Sequence, residues 1–238
     1  MTSIKFLRAF NPKIKDKPIF DSVKLYPTKT GENTLYLPEM DETYHSREGV
    51  LTEAMHVFIE QGFNRMLHLP TINIFEVGFG TGLNALVTAA EVKKTDKKVF
   101  YTSIEAYPVP VALAQELNYG TFINQEPLFA KLHAVAWGKM ENISDNFQLH
   151  KVENSLLKMA LPNETFDVIY FDAFAPKKQP EMWEKAIFEK LYNSLKKGGV
   201  LTTYSAAGQL KRDLKSVGFT IENPPGANGK REMTVAVK

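Results

Sequence analysis

The segment Phe75-Glu76-Val77-Gly78-Phe79-Gly80-Thr81-Gly82-Leu83-Asn84 constrains the fold of this chain more than any other. Ile72 to Val77 reads as a short buried strand and Leu83 to Ala90 as a helical run, with three glycines at alternate positions between them. Glycine is needed where φ must be positive or where a ligand lies against bare backbone. A strand, a glycine turn and a helix N-terminus make a nucleotide-binding corner. The spacing here is G-x-G-x-G. Dinucleotide sites use G-x-G-x-x-G, where the third glycine lets the helix pack on the strand, so a nicotinamide oxidoreductase is the weaker reading.

The chain continues in the alternation of a doubly wound sheet. Strands are expected at Val99 to Ile104, Phe147 to Val152, Phe166 to Phe171 and Val200 to Tyr204. Helices are expected from about Pro108 to Leu117, Glu126 to Trp137, Glu181 to Lys196 and Ala207 to Leu214, with a short helical stretch near Leu156. Gly198-Gly199 is read as a helix stop. Phe219 to Glu222 and Met233 to Val237 have no helix between them, which predicts an antiparallel edge hairpin. Upstream, Val23 to Tyr26 and Thr34 to Leu37 flank the hairpin signal Thr30-Gly31-Glu32-Asn33, and Glu48 to Leu69 has helical spacing of apolar residues. Residues 1–44 are therefore read as a small β-hairpin extension on a domain spanning 45–238.

Composition narrows the chemistry. The 238 residues fit one α/β domain with decorations, and 44% apolar residues is an ordinary globular value. The absence of cysteine excludes disulfides, thiolate metal sites and cysteine nucleophiles, and no metal site is expected. Met1 to Phe20 lacks an apolar core of signal-peptide length, so the expectation is a cytoplasmic protein without a membrane segment. A net charge of +2 is too weak to argue nucleic acid, although lysine pairs recur along the chain.

Three further positions carry chemistry if the sheet is right, because open sheets bind ligands at the carboxyl ends of their strands. Glu105 ends the second strand of the main sheet, where a carboxylate can accept both hydroxyls of a ribose. Glu153 and Asn154 follow Val152, where a polar side chain could bond an adenine amine, although Asn154 also reads as a helix N-cap. Asp172 ends an apolar strand with Phe174 two residues later. A carboxylate there suits a substrate amine.

Glu76, the acidic residue ahead of the first glycine, makes the corner similar to the first motif of S-adenosyl-L-methionine (SAM) methyltransferases. The expected fold is then the Rossmann-like class I SAM-dependent methyltransferase: a seven-stranded, mostly parallel sheet ending in an antiparallel hairpin. More specifically, the chain resembles the MnmC-type methyltransferases, which form tRNA 5-methylaminomethyl-2-thiouridine. Four segments carry the resemblance in order: Glu76 to Asn84; Asp172-Ala173-Phe174-Ala175-Pro176 with Pro180-Glu181-Met182-Trp183; Thr203-Tyr204-Ser205-Ala206-Ala207-Gly208; and Gly226 with Lys230-Arg231-Glu232-Met233. Tyr44-His45-Ser46 and Glu53 with Val57-Phe58 look like the family's entry segment. The sequence departs from the family at Ala106, where a lysine is common, at Asn228-Gly229, and around Glu153, where a Gly-Asp pair is usual.

The resemblance implies methyl transfer from SAM to the primary amine of 5-aminomethyl-(2-thio)uridine at the tRNA wobble position. It implies a methyltransferase domain without the flavin-dependent domain of some family members, and coupling to the enzymes that make the precursor. Glu76, Gly78, Gly80, Gly82, Asn84, Glu105 and Glu153 or Asn154 are the expected cofactor contacts. Asp172 is expected to hold the amine and take its proton. Phe174 is expected to wall the uracil, with Tyr44 facing the same pocket. Lys177, Lys178, Arg212, Lys230 and Arg231 are the candidate phosphate contacts. Methylation of another amine or a small molecule, and SAM-fold binding without catalysis, stay open. A propylamine transferase would need a second acidic residue near Asp172, and none is visible in the sequence.

Overall fold

The computed structural model describes residues 19–238; the opening of the expected extension, residues 1–18, lies outside them. The hairpin signal forms as expected. β1 (Lys24–Pro27) pairs antiparallel with β2 (Asn33–Leu37). A short third strand, β3 (Glu42–Thr43), adds to β2 after a turn in which Asp41 takes a φ of 45°. Two residues are too short a run to show periodicity in the sequence.

The single helix expected from Glu48 to Leu69 is broken. α1 (Val50–Ala54) passes into a π-helical turn at Met55–Glu60, and a separate 3-10 turn covers Phe63–Met66. Gly62 causes the break: a β-carbon there would stand 2.5 Å from the Phe58 carbonyl and 2.9 Å from the Tyr170 ring. The chain must leave the helix to pass this close to the sheet.

The main sheet contains β4 (Thr71–Val77), β5 (Lys98–Glu105), β6 (Met140–Ser144), β7 (Phe147–Glu153), β8 (Phe166–Phe171), β9 (Leu195–Thr203), β10 (Thr220–Glu222) and β11 (Thr234–Val237). Their order is β10-β11-β9-β8-β4-β5-β7-β6. The sheet is thus eight-stranded, not seven. The additional strand, β6, pairs antiparallel with β7 at the edge. Its residues read as polar because only Ile143 is buried. The five strands β7, β5, β4, β8 and β9 are parallel, and β11 and β10 form the expected antiparallel end.

Side chains leave the central strands alternately to the two faces. Ile72, Ile74, Val168 and Tyr170 pack toward α2 (Leu83–Val92), whereas Phe75, Val77, Ile169 and Phe171 pack toward α6 (Lys185–Ser194) and α7 (Gly208–Val217). Helices between β5 and β6 are shorter than expected: α3 (Val111–Ala114), α4 (Tyr119–Phe122) and α5 (Glu126–Ala134). The stretch near Leu156 is a turn. Helix α6 ends at Ser194, not Lys196, because Leu195 already pairs with Phe166 and Lys196 reaches Asp167 at 2.8 Å.

Chain order reverses between β4 and β8, since β5 lies to one side of β4 and β9 beyond β8. The crevice at the carboxyl ends of these two strands is where an open α/β sheet places its ligand.

Candidate active site

Gly78, Gly80 and Gly82 all take positive φ, at 91°, 49° and 74°, so the turn wraps back over the end of β4. Their reasons differ. A β-carbon on Gly78 would stand 3.1 Å from the Asp172 carbonyl, across the β4–β8 crevice. One on Gly80 would meet the Tyr44 ring at 3.1 Å. One on Gly82 would meet His133 Nε2 at 2.9 Å, so this glycine serves the packing of α2 and does not line the crevice. The expected contact of Gly82 with the cofactor has no counterpart in the cavity lining.

A cavity of about 760 Å³ opens over the turn. Gly78, Gly80, Asn84, Glu105, Asn154, Asp172, Phe174, Tyr44, Lys177, Lys178 and Lys230 all line it. Five expected residues do not. Glu76 points with Ile72 and Ile74 toward α2, is fully buried and accepts from Ser103 Oγ at 2.6 Å. Burial pushes its carboxyl up to about 8. Glu153 is exposed on β7, and the next residue, Asn154, takes the cavity position. Arg212 bonds Gln209 at 2.8 Å on the outside of α7, and Arg231 is exposed. With Gly82, these complete the exceptions; strand alternation decides Glu76, and helix facing decides Arg212.

At one end of the cavity, Glu105 accepts the Gly80 N–H at 2.9 Å and the Tyr107 N–H at 2.8 Å, and burial raises its pKa. Each carboxylate oxygen keeps a lone pair for a further donor. Asn154 Oδ1 accepts the Ser155 N–H at 2.8 Å, beside the apolar wall of Ile104, Ala106, Leu156 and Leu157.

At the other end stands Asp172. Its carboxylate accepts from Asn84 Nδ2 at 2.8 Å, so Asn84 orients Asp172 from the first turn of α2. Burial pushes the Asp172 carboxyl up to about 7, with the charge of Glu53 adding to the effect and Lys230 opposing it. The Phe174 ring meets Tyr44 edge-on at 5.2 Å, and the Phe174 carbonyl accepts from Trp183 Nε1 at 2.8 Å. Lys178 Nζ donates to the Met40 carbonyl at 2.6 Å, tying the loop after β8 to the extension.

The lining residues that were not among the expected contacts include His45, Glu53, Thr81 and Tyr204. His45 and Thr81 are joined through Nε2 and Oγ1 at 2.6 Å, and burial lowers the His45 pKa to about 4. Tyr204 donates its hydroxyl to the Ala173 carbonyl at 2.9 Å, leaving its ring face to the cavity. Each neighbours or lies within a motif that the sequence does show, but only the fold brings Glu53 beside Asp172. Among the described residues there is no cluster of histidine and acidic side chains able to hold a metal ion, and no helix is long and apolar enough to cross a membrane.

Residues 130–238 match a family model described as S-adenosyl-L-methionine-dependent methyltransferase. A tRNA 5-methylaminomethyl-2-thiouridine biosynthesis bifunctional protein MnmC from Cupriavidus necator is 32% identical over 227 residues, covering 88% of this chain and 34% of that protein. The protein of the same name from Leptospira interrogans is 32% identical over 218 residues, covering 83% of this chain and 32% of that protein. The chain thus spans about a third of the length of the curated relatives it matches. The crystal structure of MNMC2 from Aquifex aeolicus superposes with a TM-score of 0.70 at 22% identity, over 91% of this chain and 70% of that one. Fold, glycine turn and family match together define a class I SAM-dependent methyltransferase. Within that class the chain is similar to the proteins named MnmC, over about a third of their length.

Proposed function

We propose that the chain methylates the primary amine of 5-aminomethyl-(2-thio)uridine at the tRNA wobble position, giving the 5-methylaminomethyl nucleoside. The observation that carries this reading is Asp172: an acid poised near neutrality, oriented by Asn84, at the aromatic end of a cavity whose other end suits a nucleoside. The residues fit SAM. Gly78 and Gly80 present backbone where side chains would fill the space, Glu105 would accept ribose hydroxyls, and Asn154 with the apolar wall would suit adenine. Bound there, SAM supplies a methyl group on a sulfonium.

The protein's part is to place the amine nitrogen in line with that methyl group and to keep its lone pair free. Asp172 accepts an N–H of the amine and takes its proton, since a protonated amine cannot attack. Phe174 and Tyr44 wall the base, and a flipped uracil stacks favourably on such rings. Lys177 at the cavity, with the exposed Arg212 and Arg231 outside it, is offered to phosphates. The test is mass spectrometry of nucleosides from tRNA bearing aminomethyluridine, incubated with the protein and SAM. A gain of one methyl group on that nucleoside supports the reading. Unchanged tRNA, with free amines methylated instead, replaces it by a small-molecule reaction.

A further inference from the structure

The acceptor end of the cavity already holds a cation of the protein's own. Lys230, in the turn joining β10 to β11, directs its ammonium inward. Nζ donates to the Glu53 carboxylate and lies 5.7 Å from the centre of the Tyr204 ring. Glu53, Tyr204, Lys230 and Asp172 line the same cavity. Glu53 arrives from α1, far away in the chain, and its side chain is only 14% exposed. A carboxylate so poorly hydrated and set near a second acid is costly without a partner cation. Lys230 compensates it, yet its own side chain is 43% exposed and can swing outward without moving the backbone.

A carboxylate, an aromatic face and a second carboxylate around one small volume are the recognition elements for an alkylammonium ion. We propose that Glu53 selects the acceptor as a primary ammonium ion, and that Lys230 is its internal stand-in, displaced from Glu53 and the Tyr204 face when substrate enters. This rests on the reading that the acceptor is an amine. The exchange is cation for cation, so Glu53 is never left uncompensated. The bound ammonium then gives one proton to the Asp172 carboxylate and becomes a neutral amine. Its lone pair forms the N–C bond as the S–C bond of the sulfonium breaks, leaving a secondary ammonium and S-adenosylhomocysteine.

The test measures binding, independent of turnover. The protein, saturated with S-adenosylhomocysteine, is titrated calorimetrically with 5-aminomethyluridine and with its neutral counterpart 5-hydroxymethyluridine, and separately with ethylammonium. The wild type should prefer the aminomethyl nucleoside by about tenfold or more, as charge-assisted hydrogen bonds imply. Glu53→Gln should remove most of that preference while S-adenosylhomocysteine binds as before, which shows that the variant is folded. Lys230→Met should tighten the aminomethyl nucleoside, because the competitor is gone. A preference retained by Glu53→Gln overturns the proposal. So does weaker binding of both nucleosides by Lys230→Met, which would make Lys230 a direct ligand contact. If aminomethyluridine tRNA is not methylated but the nucleoside or ethylammonium binds in a Glu53-dependent way, the tRNA reading fails and this one stands. Glu53-independent behaviour with all three probes removes it.

Discussion

The two ends of the cavity are built by different means. The cofactor end draws on few segments: Gly78 to Asn84, Glu105 one helix and one strand later, joined by the Gly80 N–H to Glu105 bond of 2.9 Å, and Asn154 after β7. The acceptor end collects Tyr44 from the extension, Glu53 from α1, Asp172 from the end of β8, Tyr204 from the end of β9 and Lys230 from the last turn. Backbone shape does the work at the first end, and charge and ring faces do it at the second. A site of few segments depends on φ and bare main chain. A dispersed one depends on every element that delivers a residue to it.

The sharpest way to break this comparison is at Asp172. Asp172→Ala should slow methyl transfer by roughly 10²–10⁴-fold, as for a lost general base, with SAM affinity nearly unchanged. Only the deprotonated carboxylate can accept a proton, and burial holds the group up at about 7, so the wild-type rate should rise with pH through that region. A neighbouring sulfonium lowers a carboxylate pKa, so with SAM bound the midpoint should sit below that of the free protein. Asp172→Asn should lose this limb and follow the amine's own titration. Wild-type speed in Asp172→Ala removes the assignment.

At the cofactor end, Gly80→Val should weaken SAM binding by on the order of 10²-fold or more, because φ is positive and backbone meets ligand there. The side chain would also press on Tyr44. Calorimetry on Gly80→Val combined with Tyr44→Ala separates the causes: binding restored by the second change makes the ring the reason, and binding still absent makes it the bare backbone. Glu105→Ala should weaken SAM by roughly 1–3 kcal/mol, the cost of leaving polar groups without their acceptor. Part of that loss comes from the freed Gly80 and Tyr107 N–H groups, so wild-type SAM affinity in this variant would separate Glu105 from the cofactor end.

Glu76 tests whether the cofactor end also depends on a buried charge. Its folded pKa is raised to about 8 from 4.5, so the folded state holds its proton over that interval while the unfolded state releases it. Stability from this group is therefore present at low pH and falls as pH rises across the interval. Glu76→Gln removes the charge, so its melting temperature should exceed the wild type's by a margin that opens from about 4.5 to 8 and is flat above. A margin independent of pH would mean that Glu76 is charged throughout. The smallest effect is expected at the exposed arginines outside the cavity. Arg212→Ala with Arg231→Ala should flatten the salt dependence of tRNA binding by about one unit of slope for each phosphate that is no longer neutralised. An unchanged slope places the tRNA on another face.

Local order makes much of this legible. The glycine turn, the apolar parallel strands and the terminal hairpin follow from residues close together in the chain, and a carboxylate that ends a strand is placed once the strand is. Glu105 and Asp172 are placed at the cavity that way. The helix expected from Glu48 to Leu69 fails because apolar spacing does not record that Gly62 must press against Phe58 and Tyr170. Strand β6 escapes the pattern because a strand buried at one residue looks polar.

What the sequence alone determined is the corner that fits a nucleoside and the acid beside it, since both depend on strand ends and on glycine's freedom at positive φ. Tertiary structure decided which way each charge faces. The same motif segments place Glu76 under α2, Gly82 beside His133, Lys230 on Glu53 at the cavity and Arg231 away from it. Those outcomes depend on strand pleat, on helix facing and on partners more than a hundred residues away, as Lys230 and Glu53 are. No local pattern encodes a pairing whose energy exists only when two distant elements meet.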